Sequence, residues 1–159
     1  MLFRTNKGLI TFGKQEQQLY YLSRLTFRKI RTSMIRTMLQ AKLHGVRVTE
    51  ADLEYEGSCG IDAALLEMSG LRENQYIEIY NVTNGERFAT YIIKAPLSSG
   101  TISLNGAAAR KAMVGDKLII AAYSQYTESE LENYEPVIVL VDEQNRPRLK
   151  AAAPAVQIR

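Results

Sequence analysis

The feature that most constrains this chain is a pair of strand-like runs broken by a short turn signal. Residues 76–82 and 86–95 are rich in Ile, Tyr, Val and Thr, and Asn84-Gly85 stands between them. Asn and Gly both tolerate φ > 0, which tight hairpin connections demand, so the sequence predicts an antiparallel hairpin here. A lone hairpin is marginal in water and needs further elements against one face. The chain supplies them. Residues 38–48 read as a strand that places Lys42 and His44, two apart, on one face. Residues 101–105, 117–123 and 136–141 read as further strands, and 49–55 as a connector holding a helical turn. Asp62 suits the N-cap of a short helix over 63–69, with Gly70 just past its end. The run GAAARKAM at 106–113 suits another helical turn. Many short strands with two short helices predict a mainly β fold, a small closed barrel.

Charge divides the chain at Met34. Residues 1–33 hold seven Lys or Arg and one acid, a net of +6, whereas 34–159 hold 13 basic and 16 acidic residues, a net of −3. The basic pI therefore belongs to an N-terminal extension, which argues against a nucleic-acid-binding face on the folded body. The extension has no sustained apolar period. It reads as a loose basic arm, a transit-type segment, or the product of an upstream start with the working chain beginning at Met34. Residues 34–150 form the expected folded domain, and 151–159 a mobile tail. No apolar run approaches the roughly 18–20 residues that span a bilayer, so no membrane role is expected. The single Cys59 excludes an intrachain disulfide framework and fits a reducing, cytoplasmic compartment.

Four blocks carry the chemistry: MIRTMLQAKLH (34–44), DLEYEGSCGID (52–62), NVTNGERFATY (81–91) and SLNGAAAR (103–110). In this order and spacing the chain resembles the aspartate α-decarboxylase family from Met34 to about Tyr123, with weaker agreement to the end. The extension at 1–33 has no counterpart in that pattern. The resemblance implies a double-psi β-barrel, assembled as a homotetramer with active sites between subunits. It implies conversion of L-aspartate to β-alanine and carbon dioxide for pantothenate and coenzyme A biosynthesis.

It also implies a cofactor made from the chain itself, by cleavage between Gly57 and Ser58, alone or with a maturation factor. Gly57 lacks a Cβ, so its peptide can adopt a strained conformation that lets the next hydroxyl reach its carbonyl. Ser58 Oγ would attack that carbonyl, and elimination and hydrolysis would leave a pyruvoyl group at Ser58. That electrophilic ketone would take the part pyridoxal phosphate plays in other decarboxylases, with no PLP and no metal.

By the same resemblance Thr90 holds the Gly57 oxyanion during cleavage and later contacts substrate, and Tyr91 returns a proton after decarboxylation. A regular strand points these two to opposite faces, so both roles together require a local distortion or an edge position. Arg87 and Lys42 match the positions that bind aspartate's carboxylates. His44 lies beside the same site, Tyr55 next to the cleavage point, and Tyr80 is a pocket wall. Asn105, Gly106, Ala107 and Ala108 place small residues and free N–H groups where substrate can approach closely. Cys59 reads as a small buried thiol rather than a nucleophile. Two other readings share the same residues: a non-enzymatic barrel that binds peptide or nucleic acid, and a pyruvoyl decarboxylase of another acidic amino acid such as glutamate.

Overall fold

Alternation of apolar and polar side chains organises most of the chain. In the computed structural model, which describes residues 2–5, 8–11, 15 and 34–148, the inward positions Leu43, Ile61, Ile77, Ile79, Ile92, Ile102, Leu104, Leu118 and Ile120 are fully buried in one cluster. They sit on strands β3 (Ile35–Arg47), β5 (Ser58–Asp62), β6 (Tyr76–Asn81), β7 (Arg87–Ala95), β8 (Ile102–Asn105) and β9 (Lys117–Thr127). Strands β4 (Glu50–Asp52) and β10 (Val137–Leu140) complete a single sheet in the order β10-β3-β9-β6-β7-β5-β8-β4. Helix α1 (Ala63–Ser69) and 3₁₀ turns at Gly106–Arg110 and Glu130–Asn133 are short. The fold is thus the mainly β, barrel-like class with short helices that the sequence predicts.

Strands β1 (Leu2–Thr5) and β2 (Gly8–Thr11) form a separate unit of their own, an antiparallel pair in which Leu2 faces Thr11 and Thr5 faces Gly8. The rest of the 1–33 extension and the 151–159 tail lie outside the described residues. Among the described residues no helix is long and apolar enough to cross a membrane.

Three local details position the site. In β3, Ala41 and Leu43 face inward, but the next inward residue is Val46 rather than residue 45. Gly45 takes φ +87°, a conformation open to glycine, and shifts the inward phase by one residue. Lys42 and His44 lie before this shift and share the outward face, as expected.

The predicted hairpin joins β6 and β7 in the register Tyr76↔Tyr91 to Tyr80↔Arg87. Its connection differs from the expected two-residue turn. Gly85 alone has positive φ (+83°), and the loop is closed by Asn81 N–H to the Glu86 carbonyl (2.8 Å) and Gly85 N–H to the Asn81 carbonyl (2.9 Å). The Asn81 side chain accepts from Thr83 N–H at 2.9 Å, stabilising a longer loop of residues 82–85.

The 49–55 connector is likewise not a helical turn. Thr49 N–H donates to the Ile102 carbonyl and its Oγ1 accepts from Ile102 N–H, which steers β4 into a parallel ladder beside β8. Asp52 then caps Glu54 N–H at 2.9 Å and ends the strand before the segment 55–57.

Asp62 is the N-cap of α1, and Gly70, at φ +70°, is its C-cap, both as the sequence predicts. The Asp62 carboxylate is almost fully buried and accepts three backbone N–H groups: Ala64 and Ser98 at 2.8 Å and Gly100 at 2.7 Å. Asp62→Ala should therefore cost more than a cap, because it removes the shared acceptor of three part-buried backbone donors at ~1 kcal/mol or more each. A loss of about 3 kcal/mol or more, read from denaturant melting, is the expected outcome. A melting midpoint equal to that of the parent protein would show these bonds to be dispensable.

Candidate active site

The segment that carries Ser58 is built from strand ends. β5 pairs antiparallel with β8, so Ser58 faces Asn105 and Cys59 faces Leu104. On its other side β5 runs parallel to β7, with Cys59 beside Ile92. Cys59, Leu104 and Ile92 all point into the core. Their neighbours Ser58, Asn105 and Tyr91 consequently project to the opposite face at one end of these strands.

Ser58 is 1% exposed, although Tyr55, Glu56 and Gly57 before it are all exposed. The hydroxyl accepts from the Asn105 amide Nδ2 at 2.9 Å and lies 3.5 Å from the Glu56 carbonyl. Asn105 is itself 4% exposed, so this pair is dry and fixed.

Glycine chemistry holds the segment in place, though not at the residue expected. Gly57 does not adopt a left-handed φ, and a Cβ there would meet only the Asn105 carbonyl at an ordinary 3.7 Å. The left-handed residue is Gly106, at φ +59°. A Cβ on Gly106 would lie 2.9 Å from Gly57 Cα and 3.0 Å from both Gly57 N and the Tyr55 carbonyl. The Asn105-Gly106 corner is thus packed backbone to backbone against the 55–57 segment. Ala108 behind it is buried, and Ala107 is exposed. Gly60 is a residue the sequence reading missed: a Cβ there would collide with Ser103 Oγ at 2.2 Å across the β5–β8 ladder. A glycine two residues past Ser58 is a faint signal until the opposing strand is known.

The remaining predicted residues form separate groups. On β7, Tyr91 and Arg87 share the outward face, four residues and about 13 Å apart along a strand rising ~3.3 Å per residue. Thr90 lies on the other face with Phe88 and Ile92. The expected edge position is there, since β5 joins β7 only at residues 92–95 and residues 87–91 pair with β6 alone, but that pairing is unbroken and keeps Thr90 and Tyr91 on opposite faces.

Arg87 stacks over the Tyr80 ring, 4.8 Å from its centroid. Tyr80 Oη lies 2.6 Å from Glu78 Oε2 and 3.0 Å from Tyr123 Oη. Burial, then these two hydrogen bonds, push its hydroxyl above the ordinary tyrosine range. Glu78 and Tyr123 are further residues missed in the sequence. Glu78 and Tyr80 could be placed on one face by alternation, but Tyr123 joins them only through the β6–β9 pairing.

Lys42 and His44 sit on β3, which β9, β6 and β7 separate from β5 in the sheet order. His44 Nδ1 is buried without a hydrogen-bond partner. Burial, then the charges of Lys42 and Lys117, hold its pKa below the ordinary histidine value.

Cys59, fully buried, has its thiol pKa pushed up to about 12 by that burial, which suits a packing residue and not a thiolate nucleophile. Among the described residues no group of three or more His, Cys, Asp and Glu side chains converges on a point.

The chain is similar to known proteins over most of its described length. The family model for aspartate decarboxylase matches residues 34–148. A Bordetella avium protein named aspartate 1-decarboxylase is 64% identical over 113 residues, which are 71% of this chain and 93% of that protein. Proteins of the same name from Ralstonia nicotianae and Methylobacillus flagellatus are 62% and 61% identical over 113 residues, again 71% of this chain, and 94% and 90% of their own lengths. The match begins where the net charge changes sign and the described sheet starts, and it spans every residue assigned above to the Ser58, Arg87 and Lys42 groups: the chain belongs to the aspartate decarboxylase family.

Proposed function

We propose that this chain is a cytoplasmic, self-processing aspartate 1-decarboxylase that converts L-aspartate to β-alanine and carbon dioxide, feeding pantothenate biosynthesis. The observation that carries this reading is the buried Ser58 hydroxyl, oriented by Asn105 at 2.9 Å and placed next to a Gly57 backbone locked by Gly106. A serine kept only for packing has no need of an amide aimed at its oxygen beside an exposed, glycine-bearing loop. Ser58 Oγ attacks the Gly57 carbonyl and moves the acyl group from nitrogen to oxygen. Elimination then frees the Gly57 carboxylate, and one water is consumed as ammonia leaves. By the resemblance Thr90 stabilises the charge that develops on the Gly57 oxygen, a role open to it only across the β7 edge that β5 leaves free at 87–91, since its side chain lies on the face opposite Tyr91.

The residues fit a pyruvoyl group at position 58. The site is dry, Asn105 Nδ2 is a ready donor to a carbonyl oxygen, and Gly106 leaves room only for backbone. The pyruvoyl group supplies the electron sink for loss of the α-carboxylate. The chain's side chains do the rest. Arg87, which forms no ion pair among the described residues, clamps a substrate carboxylate. Lys42, with neutral His44 beside it, adds a second positive charge suited to a diacid. Tyr91 donates the proton that replaces the carboxylate.

Ser58 and the Lys42–His44 pair lie on strands with three others between them, and Tyr91 remains 41% exposed. Copies of the chain in a homotetramer complete each site by bringing one chain's cationic groups to another's Ser58. Mass spectrometry of the purified protein tests the reading. The expected result is a 57-residue fragment and a 102-residue fragment of the 159-residue chain, the larger lighter by one ammonia than a serine-started peptide. An active decarboxylase that remains one uncut chain would sink it.

A further inference from the structure

Arg87 and Glu78 stand in a geometry that ordinarily produces a salt bridge. Both project from the outer face of the β6–β7 hairpin. Arg87 is directly opposite Tyr80, and Glu78 is the diagonal neighbour, within reach of a long side chain. Ala89 and Ala121, the residues that flank Glu78 on the two adjacent strands, are too short to come between them. Yet among the described residues Arg87 forms no ion pair.

The hydrogen-bond directions explain why. A carboxylate only accepts, so the single Tyr80 O–H is spent on Glu78 Oε2 at 2.6 Å. Tyr123 must then donate its own hydroxyl proton to the Tyr80 oxygen at 3.0 Å. The hydroxyl end of Tyr80 holds the acid while the face of its ring holds the guanidinium at 4.8 Å. One side chain thus takes both would-be partners and keeps them apart.

We propose that Tyr80, steadied by Tyr123, is a spacer that prevents Glu78 from capturing Arg87 and so keeps the guanidinium available for a substrate carboxylate. The proposal rests on the reading of Arg87 as the carboxylate clamp. Tyr80 and Tyr123 are then positioning residues for substrate affinity, with no part in proton transfer or self-cleavage.

The test is a set of steady-state measurements on the full-length, processed enzyme with L-aspartate. Tyr80→Phe keeps the ring and releases Glu78. KM is expected to rise about fivefold, the effect of one competing exposed ion pair, with kcat within twofold of the parent. Tyr123→Phe is expected to raise KM less, about twofold to threefold, and keeps the proposal tested should Tyr80→Phe fail to fold. The distinguishing result is rescue: Tyr80→Phe combined with Glu78→Gln should return KM to near the parent value, because the competing charge is gone. A general loss of packing would not be repaired by a second change. If Arg87→Ala raises KM while Tyr80→Phe and Tyr123→Phe leave it unaltered, the spacer is overturned and the clamp stands. The same holds if Glu78→Gln brings no relief. An unaltered KM in Arg87→Ala removes the clamp and the spacer together.

Discussion

Alanine at Ser58 is expected to yield a protein that purifies as one 159-residue chain and shows no measurable aspartate turnover. Cleavage needs an oxygen nucleophile beside the Gly57 carbonyl, and Ser58 Oγ is the group that Asn105 orients there. The adjacent Cys59 cannot stand in. Its side chain points into the core, and a thiol with a pKa of about 12 is almost wholly protonated at neutral pH. The substitution removes a single oxygen from a site that already excludes water. Asn105 Nδ2 loses its partner, which should cost ~1–3 kcal/mol, while the Glu56 carbonyl, on an exposed residue, loses only a long 3.5 Å contact, so the barrel should stay folded. Electrophoresis and an aspartate assay check the result. Two fragments from this variant would assign the nucleophile elsewhere.

Removal of the Tyr91 hydroxyl is expected to have the next largest effect, with a different signature. Tyr91→Phe should cleave itself to the same two fragments as the parent, because among the described residues Tyr91 makes no hydrogen bond to the Ser58 segment, and the backbone pairing of residue 91 with Tyr76 does not depend on the hydroxyl. Decarboxylation should then fall by ~10²–10⁴, the usual loss when a positioned proton donor is deleted. The fall should appear in kcat, with KM little altered, since the hydroxyl acts after the carboxylate has left. Unimpaired turnover by a fully cleaved Tyr91→Phe enzyme would move the proton donor to another group.

How much of this was legible in the sequence depended on the range of the interaction. Local signals served well. Asp62 and Gly70 bracket α1 because capping is a matter of adjacent backbone groups, and alternation located β6, β7 and β9. The parity of Thr90 and Tyr91 was also legible, and the structure leaves it unrelieved: unbroken pairing with β6 keeps them on opposite faces. What the sequence could not supply were pairings between distant segments. The 49–55 connector has no strong strand pattern and becomes β4 because β8 offers it a ladder. Gly57, next to the cleavage point, attracted the argument about backbone freedom, but the residue that needs that freedom is Gly106, 49 positions later, because it packs on Gly57 itself. Tyr123 and Glu78 entered only with the β6–β9 register.

The position of β3 between β10 and β9 has a consequence for the life of the molecule. The Gly57–Ser58 bond separates β3 and β4 from every later strand, so under the cleavage proposed above the sheet would be held by ladders between two polypeptides. β3 can then leave only by opening both of its edges at once. That cleavage would also be irreversible, because in it the amine that made the peptide bond departs as ammonia. An uncut precursor that unfolds can find its way back as a single chain, but the mature form must refold by meeting a separate fragment, at a rate that depends on concentration. Its persistence is accordingly kinetic. Maturation by that cleavage would turn a renewable fold into one that is assembled once and, when lost, is replaced only by new synthesis.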